Sequence, residues 1–97
     1  NQRINLCYEK VKKYDIKAPL KISIKKMKKR WGSCSKKGNI LLNRELIKAP
    51  SHCIDYVIIH ELCHLKHYNH NNNFFKLLSQ VMPDWQKRKE RLEQIVL

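Results

Sequence analysis

The stretch of sequence that decides the fold is IDYVIIHELCHLKHYNH, residues 54–70. Within it, residues 60–64 read His-Glu-Leu-Cys-His, an HExxH motif. Helical positions four apart lie on one face, one turn apart, so the imidazoles of His60 and His64 can reach a single metal ion. Glu61 is displaced around the helix, beside the open position of such a metal, where its carboxylate can take a proton from a bound water. The motif therefore predicts one zinc ion with Glu61 as general base.

A catalytic zinc site needs a third protein ligand and keeps a fourth position for water. His70 is the favoured third ligand, because the helix is expected to end just before it and the chain can then fold back. His67 lies on the same helical face as His60 but about 10 Å further along the helix axis. A glutamate from the last helix, Glu90 or Glu93, is another candidate. The sequence favours His70 and leaves the other candidates open.

Two kinds of function fit such a site. Three protein ligands and a water position indicate peptide-bond hydrolysis, in which Glu61 accepts a proton and passes it to the leaving amine. A fourth protein ligand, such as Cys63, His67 or a C-terminal glutamate, would indicate a structural zinc in a binding module.

For the peptidase, we expect the substrate to lie extended along a sheet edge, with 39–43 as the candidate strand. Tyr68 is a candidate for stabilising the oxyanion.

The region before the motif predicts a helix followed by a small antiparallel sheet. An apolar stripe that begins at Ile4 recurs at helical spacing and predicts an N-terminal helix. Apolar residues alternate with polar ones over 20–24, and a second strand is expected over 39–43. A turn at Lys37-Gly38 precedes the second strand. We expect the sheet to occupy about 20–43.

The motif helix is expected over about 52–68, with Ser51 as its N-cap. It is apolar on both sides, which predicts a central, largely covered helix. Two further helices follow. The first is expected to be capped by Asn72 or Asn73, and Asp84 can cap the last. The predicted fold class is α+β, zincin-like, with the sheet packed on a central HExxH helix and further C-terminal helices.

Composition and charge limit the remaining possibilities. The chain has 97 residues, which suits a single domain over 1–97. Because it begins at Asn1 rather than Met, a missing N-terminal segment is compatible with the sequence. No apolar run approaches the roughly 20 residues of a membrane span, and no signal peptide opens the chain. Four cysteines without a CxxC pair favour free thiols in a reducing cytoplasm.

The net charge of +13 is concentrated in the first half of the chain. Residues 1–50 carry 15 basic and 3 acidic side chains, whereas residues 51–97 carry 6 and 5. One interpretation is a solubilising surface, and the other is a surface that binds phosphates of nucleic acid. The densest basic cluster consists of Lys25, Lys26, Lys28, Lys29 and Arg30.

Several blocks of the sequence together resemble the YgjP-like metallopeptidase family, which is related to the SprT-like and WLM zinc proteases. The blocks are RWGSCS (30–35), GNILLN (38–43), the motif stretch 54–70 and MPDW (82–85). The resemblance implies a zincin-type α+β core, zinc held by His60, His64 and His70, and Glu61 as general base. Cys63 departs from the alanine that is commoner in this family. Some of the related enzymes act on protein–DNA crosslinks, so the resemblance also implies a DNA-associated protease as an alternative.

Overall fold

A computed structural model describes residues 2–95. Four α-helices and three β-strands follow one another in the order α1, β1, β2, β3, α2, α3, α4. Their bounds are α1 Gln2–Val11, β1 Lys21–Lys25, β2 Gly32–Cys34, β3 Asn39–Asn43, α2 Ser51–Cys63, α3 Asn72–Val81 and α4 Trp85–Glu93. Short 3₁₀ helices at Lys12–Tyr14 and Arg44–Lys48 follow α1 and β3. This arrangement confirms the predicted α+β class.

The three strands form a mixed sheet, and the prediction of a purely antiparallel sheet was wrong. The strand order is β1-β3-β2, with β1 parallel to β3 and β2 antiparallel to β3. The tight turn at residues 35–38 pairs the two segments that flank it directly, and these are β2 and β3. The Gly-Ser-Cys sequence of β2 carries no apolar alternation, so the sequence pattern instead predicts pairing of 39–43 with the strand at 20–24. β3 is therefore the central strand, and the edges are β1 and β2.

A buried asparagine fixes the loop between β1 and β2. Asn43 is 1% exposed, and its amide Nδ2 donates to the carbonyl oxygens of Met27 and Arg30 at 2.9 and 2.7 Å. Its Oδ1 accepts from the Glu45 backbone N–H at 3.0 Å. These hydrogen bonds satisfy backbone groups that neither strand pairs. The position of Arg30 beside the sheet thus depends on Asn43.

Helix α2 lies at the centre of the molecule and packs against α1, α3, α4 and the sheet. Both of its sides are buried, as the apolar pattern predicted, and its buried apolar residues are Cys53, Tyr56, Val57, Ile58, Ile59, Leu62 and Cys63. Asp55 accepts an ion-pairing hydrogen bond from Arg3 Nη1 at 2.6 Å, which joins α2 to α1. The sheet and the helices are therefore organised around the helix that carries the motif.

The ends of the helices differ from the predictions in three places. α2 begins at Ser51 with Pro50 as N-cap, and it ends at Cys63 rather than near 68. Its last turn tightens, because the N–H groups of His64 and Leu65 bond three residues back, to the carbonyls of Glu61 and Leu62.

The cap of α3 is Asn71 rather than Asn72 or Asn73, and its side chain accepts from the Phe74 N–H at 3.1 Å. Asp84 is the N-cap residue of α4, but its carboxylate accepts from Arg88 Nε at 3.0 Å and makes no capping bond.

Candidate metal centre

Three imidazoles meet at the C-terminal end of α2. One ring nitrogen from each of His60, His64 and His70 lies within 4.8 Å of the others. The closest pair is His60 Nε2 and His70 Nε2, which are 3.1 Å apart. Nitrogens held tetrahedrally by zinc at about 2.0–2.1 Å would lie about 3.3 Å apart. The donor set and its spacing therefore fit one divalent metal ion.

Hydrogen bonds at the other ring nitrogens orient two of these rings. His64 Nδ1 lies 3.2 Å from the His67 carbonyl oxygen, an acceptor, so Nδ1 carries the proton and Nε2 keeps its lone pair. His60 Nδ1 lies 3.4 Å from the Tyr56 hydroxyl. Burial raises the pKa of Tyr56 to about 12, so its phenol stays protonated at neutral pH. Such outer contacts fix the tautomer and direction of metal-binding histidines.

The early end of α2 and the start of α3 bring His70 to the other two histidines. The chain leaves α2 at Cys63, turns through residues 64–66, and enters α3 at Asn72. His70 directly precedes Asn71, the residue whose side chain caps α3. The capping bond holds the backbone next to His70, so the start of α3 positions its imidazole.

Phe74 supports all three imidazoles and was not recognised as a site residue from the sequence. It is fully buried, and its ring centroid lies 5.0 Å from His60, 4.4 Å from His64 and 5.0 Å from His70. The His64 ring stacks on it at an interplanar angle of 24°. The only sequence signal was its helical spacing, which is equally typical of an ordinary core residue. Phe74 forms an apolar base that limits how far the three rings can move.

Glu61 is held in a narrow space beneath β2. It is 6% exposed, and burial raises its pKa to about 7, an effect that the positive charge of Arg30 opposes. A Cβ atom on Gly32 would lie 3.1 Å from Glu61 Oε2 and 3.1 Å from the Leu41 carbonyl oxygen. With a side chain at this position, the carboxylate or the strand would have to shift by a few tenths of an ångström. Gly32 is therefore a second site residue that sequence reasoning missed.

His60 and His64 are kept neutral by their surroundings. Burial, and after it the neighbouring His64, His70 and Lys89, lower the pKa of His60 to about 3. Burial and His70 also lower the pKa of His64, while its hydrogen bonds to backbone carbonyls act in the opposite direction. Neutral imidazole is the form that binds a metal.

The three histidines and Glu61 face a cavity of about 490 Å³, which we call the site cavity. Its opposite wall is the β2 segment, from Arg30 to Cys34. Burial and then the charge of Glu61 raise the pKa of Cys34 to about 11, so the thiol stays protonated. Cys34 is half-buried; it packs against the core and also lines the cavity. Tyr68 lines the cavity too and is 44% exposed.

The alternative ligands lie elsewhere. His67 contributes its backbone carbonyl to His64, and its ring is not in the cluster. Glu93 pairs with Lys89 at 3.2 Å. Cys63 is fully buried in the core. Within residues 2–95, the three histidines gain no fourth ligand from a cysteine or carboxylate.

The edge of the sheet covers a helix that bears two histidines one turn apart, and a third histidine and a buried glutamate lie beside them. This is the arrangement of a metallopeptidase domain. The model of the YgjP-like family, described as a metallopeptidase domain, matches residues 2–95, and the chain belongs to this family.

Two solved structures with the same fold are described as metallopeptidase zymogens. Abylysin from Pyrococcus abyssi superposes with a TM-score of 0.81 at 22% identity, covering 96% of this chain and 90% of that one. Jannalysin from Methanocaldococcus jannaschii gives a TM-score of 0.76 at 24% identity, covering 95% and 94%. No curated protein matches this chain in sequence. Within residues 2–95, no helix combines the length and apolar character that crossing a membrane requires.

Proposed function

We propose that this protein is a zinc-dependent peptidase in which His60, His64 and His70 hold the zinc ion and Glu61 is the general base. The observation that carries the proposal is the convergence of the three ring nitrogens within 4.8 Å beside a buried carboxylate. When bound, zinc would supply Lewis acidity that polarises a carbonyl and acidifies water. The absence of a fourth protein ligand among residues 2–95 favours this open, catalytic kind of site over a structural one.

Glu61 is suited to move a proton in both directions. Its pKa of about 7 lies near neutral pH, where a general base works best. The carboxylate accepts a proton from the attacking water and then delivers it to the amine that leaves. Because Gly32 lets β2 approach closely, the carboxylate is confined in one place without a covalent or ionic tether.

The substrate binds along β2 rather than along β3. The expected strand, 39–43, is central and already paired on both sides, so it cannot accept another strand. The Trp31 carbonyl accepts from the Asn43 N–H, and the Ser35 N–H donates to the Asn39 carbonyl. The alternation of an antiparallel ladder therefore directs the backbone groups of Gly32 and Cys34 to the free edge. This edge borders the site cavity. A peptide added there would pass directly over Glu61.

The test separates metal binding from catalysis. We expect Glu61→Gln to keep one zinc per chain and to lose peptidase activity, whereas His70→Ala loses both. His67→Ala is the matched control, because it removes a nearby imidazole that is not in the cluster and leaves the backbone carbonyl in place. Metal content by mass spectrometry and cleavage of a fluorogenic peptide library are the readouts. Full activity in Glu61→Gln would exclude Glu61 as the general base.

X-ray absorption at the zinc edge distinguishes the peptidase from a structural zinc module. The proposal expects three imidazoles and at least one water. Four protein ligands would contradict it and would indicate a binding module.

A second candidate function is a peptidase that acts on proteins bound to nucleic acid. Four cations, Lys26, Lys28, Lys29 and Arg30, lie on the exposed β1–β2 loop, and Lys25 ends β1 directly before it. Asn43 holds this loop so that Arg30 borders the site cavity. A phosphate backbone on the loop would therefore pass close to the site. If so, DNA affinity should fall steeply with salt and with Lys28→Glu plus Lys29→Glu. A flat salt response would remove this candidate.

The proposed location is the cytoplasm. All four cysteines are free thiols in the structure, which fits a reducing compartment.

A further inference from the structure

A second groove opens from the site cavity on the side away from α4. It has a volume of about 340 Å³ and shares His64 and Tyr68 with the site cavity, so the two spaces are adjacent. Its charged residues are all lysines: Lys17, Lys36, Lys37 and Lys66. We call it the lysine groove.

The positive charge of the lysine groove is not neutralised by the protein. Within residues 2–95, none of the four lysines forms an ion pair, and no carboxylate lines the groove. Two of them are held in place: Lys66 Nζ donates to the Tyr14 carbonyl oxygen at 2.9 Å, and Lys36 Nζ lies 5.3 Å from the centroid of the Tyr68 ring. Fixed cations without partners provide a binding place for an anion.

The floor of the groove is apolar. Leu20, 75% exposed, and the half-buried Leu65 line it together with Gly38. A side chain with methylene groups and a terminal carboxylate matches this combination of an apolar floor and cationic walls. A bare phosphate ion would leave the apolar floor uncovered.

The opposite flank of the site cavity has a different character. There a smaller space of about 230 Å³ is lined by Trp31, Val57 and Leu92. Its two cations, Arg30 and Lys89, are accompanied by two carboxyl groups, Glu61 and Glu93, and Glu93 pairs with Lys89 at 3.2 Å. The lysine groove and this smaller space therefore differ in charge. They adjoin opposite ends of β2.

We propose that the lysine groove selects substrates with an acidic side chain on the amino-terminal side of the scissile bond. This inference rests on the proposed peptidase function. The turn that follows Cys34 leads into the groove, so a substrate strand antiparallel to β2 would have its amino-terminal half there. Antiparallel pairing is the more stable arrangement per residue.

Matched peptides test the preference. One peptide is prepared with Glu, Gln or Lys two residues before the scissile bond, and a second set carries the same residues two positions after it. At about 20 mM ionic strength we expect kcat/KM to be about fivefold higher for Glu than for Gln on the amino-terminal side, falling below about twofold at about 0.5 M salt. Equal rates, or a preference on the carboxyl-terminal side, would overturn the proposal.

Two double variants assign the preference to the groove. Lys36→Gln with Lys37→Gln should abolish the preference for Glu, and Lys36→Glu with Lys37→Glu should reverse it in favour of Lys. The control is Lys76→Gln with Lys87→Gln, which removes the same charge from exposed positions on α3 and α4 outside the groove. An equal effect in the control would show a general effect of net charge and would refute the groove.

A binding assay keeps the inference separate from the peptidase proposal. Fluorescence anisotropy measures the same peptides on zinc-loaded and metal-free Glu61→Gln. If no peptide is cleaved by the wild type but Glu still binds more tightly than Gln, the peptidase proposal fails and the groove stands. If peptides are cleaved without a preference, the groove fails and the peptidase stands. Displacement of the acidic peptide by a much lower concentration of single-stranded oligonucleotide would overturn the assignment to peptides.

Discussion

Replacing Gly32 with alanine tests how closely β2 confines the proposed general base. A methyl group there would lie 3.1 Å from Glu61 Oε2, 3.1 Å from the Leu41 carbonyl oxygen and 3.2 Å from Glu61 Cγ. Ordinary contacts begin at 3.4 Å, so the neighbours must move by about 0.3 Å. The Leu41 carbonyl belongs to the central strand, which is paired on both sides. The Glu61 side chain is therefore the group that moves.

We expect Gly32→Ala to lower kcat/KM about tenfold, since displacing a reacting group by about 1 Å costs about 10²-fold. Crowding of this kind destabilises a core by about 1–3 kcal/mol, and each kcal/mol lowers the Tm of a domain of this size by about 4–8 °C. The three histidines are not touched, so the zinc content should remain that of the wild type.

The assay combines kcat/KM on a fluorogenic peptide, zinc content and thermal unfolding. The same substitution is then made in Glu61→Gln. If alanine acts through Glu61, it should cause little further loss in that background. Wild-type activity in Gly32→Ala, or the same tenfold loss in both backgrounds, would refute the reasoning.

Three further predictions concern the supports of the site. Phe74→Ala should lower the free energy of unfolding by about 3–5 kcal/mol and Phe74→Leu by less. Both should weaken zinc binding about tenfold or more, as urea unfolding and metal titration would show; unchanged affinity would contradict a supporting role. Asn43→Ala leaves the Met27 and Arg30 carbonyls unpaired and should cost about 2–4 kcal/mol, whereas a thermal shift near zero would contradict this. The pKa of His60 falls from 6.5 to about 3 on folding, so the unfolded chain binds more protons between these values. The raised pKa of Glu61, about 7, acts in the opposite direction, so the slope is measured in Glu61→Gln. That metal-free variant should lose up to about 1.4 kcal/mol per pH unit as the pH falls below 6.5, and adding His60→Gln should flatten the slope in urea unfolding.

The proposed metal ligands could be recognised from the sequence because the helix itself sets their spacing. Two histidines four apart share a face in any α-helix, so His60 and His64 could be paired without knowledge of the fold. The apolar residues on both sides of α2 likewise predicted its burial, because a helix without a polar face must be covered. Local rules of this kind need only the sequence.

The supports of the site depended on contacts between segments far apart in the chain. Gly32 and Glu61 are separated by 28 residues in the sequence, and only the packing of β2 on α2 makes the glycine necessary. Phe74 has the helical spacing of any core residue, and its place beneath three imidazoles follows from the docking of α3. The identity of a glycine or a phenylalanine in the sequence does not show which distant residues it contacts in the fold.

The sequence by itself determined the helix that carries the motif, the α+β class and the histidines able to share an ion, because these follow from helical periodicity and from the donor chemistry of imidazole. Only the tertiary structure decided the strand order and with it which edge faces the site. A three-residue strand has too little periodicity to be seen, and strand pairing depends on turn geometry and on burial against α2. Both the confinement of Glu61 and the lysine groove result from that strand order.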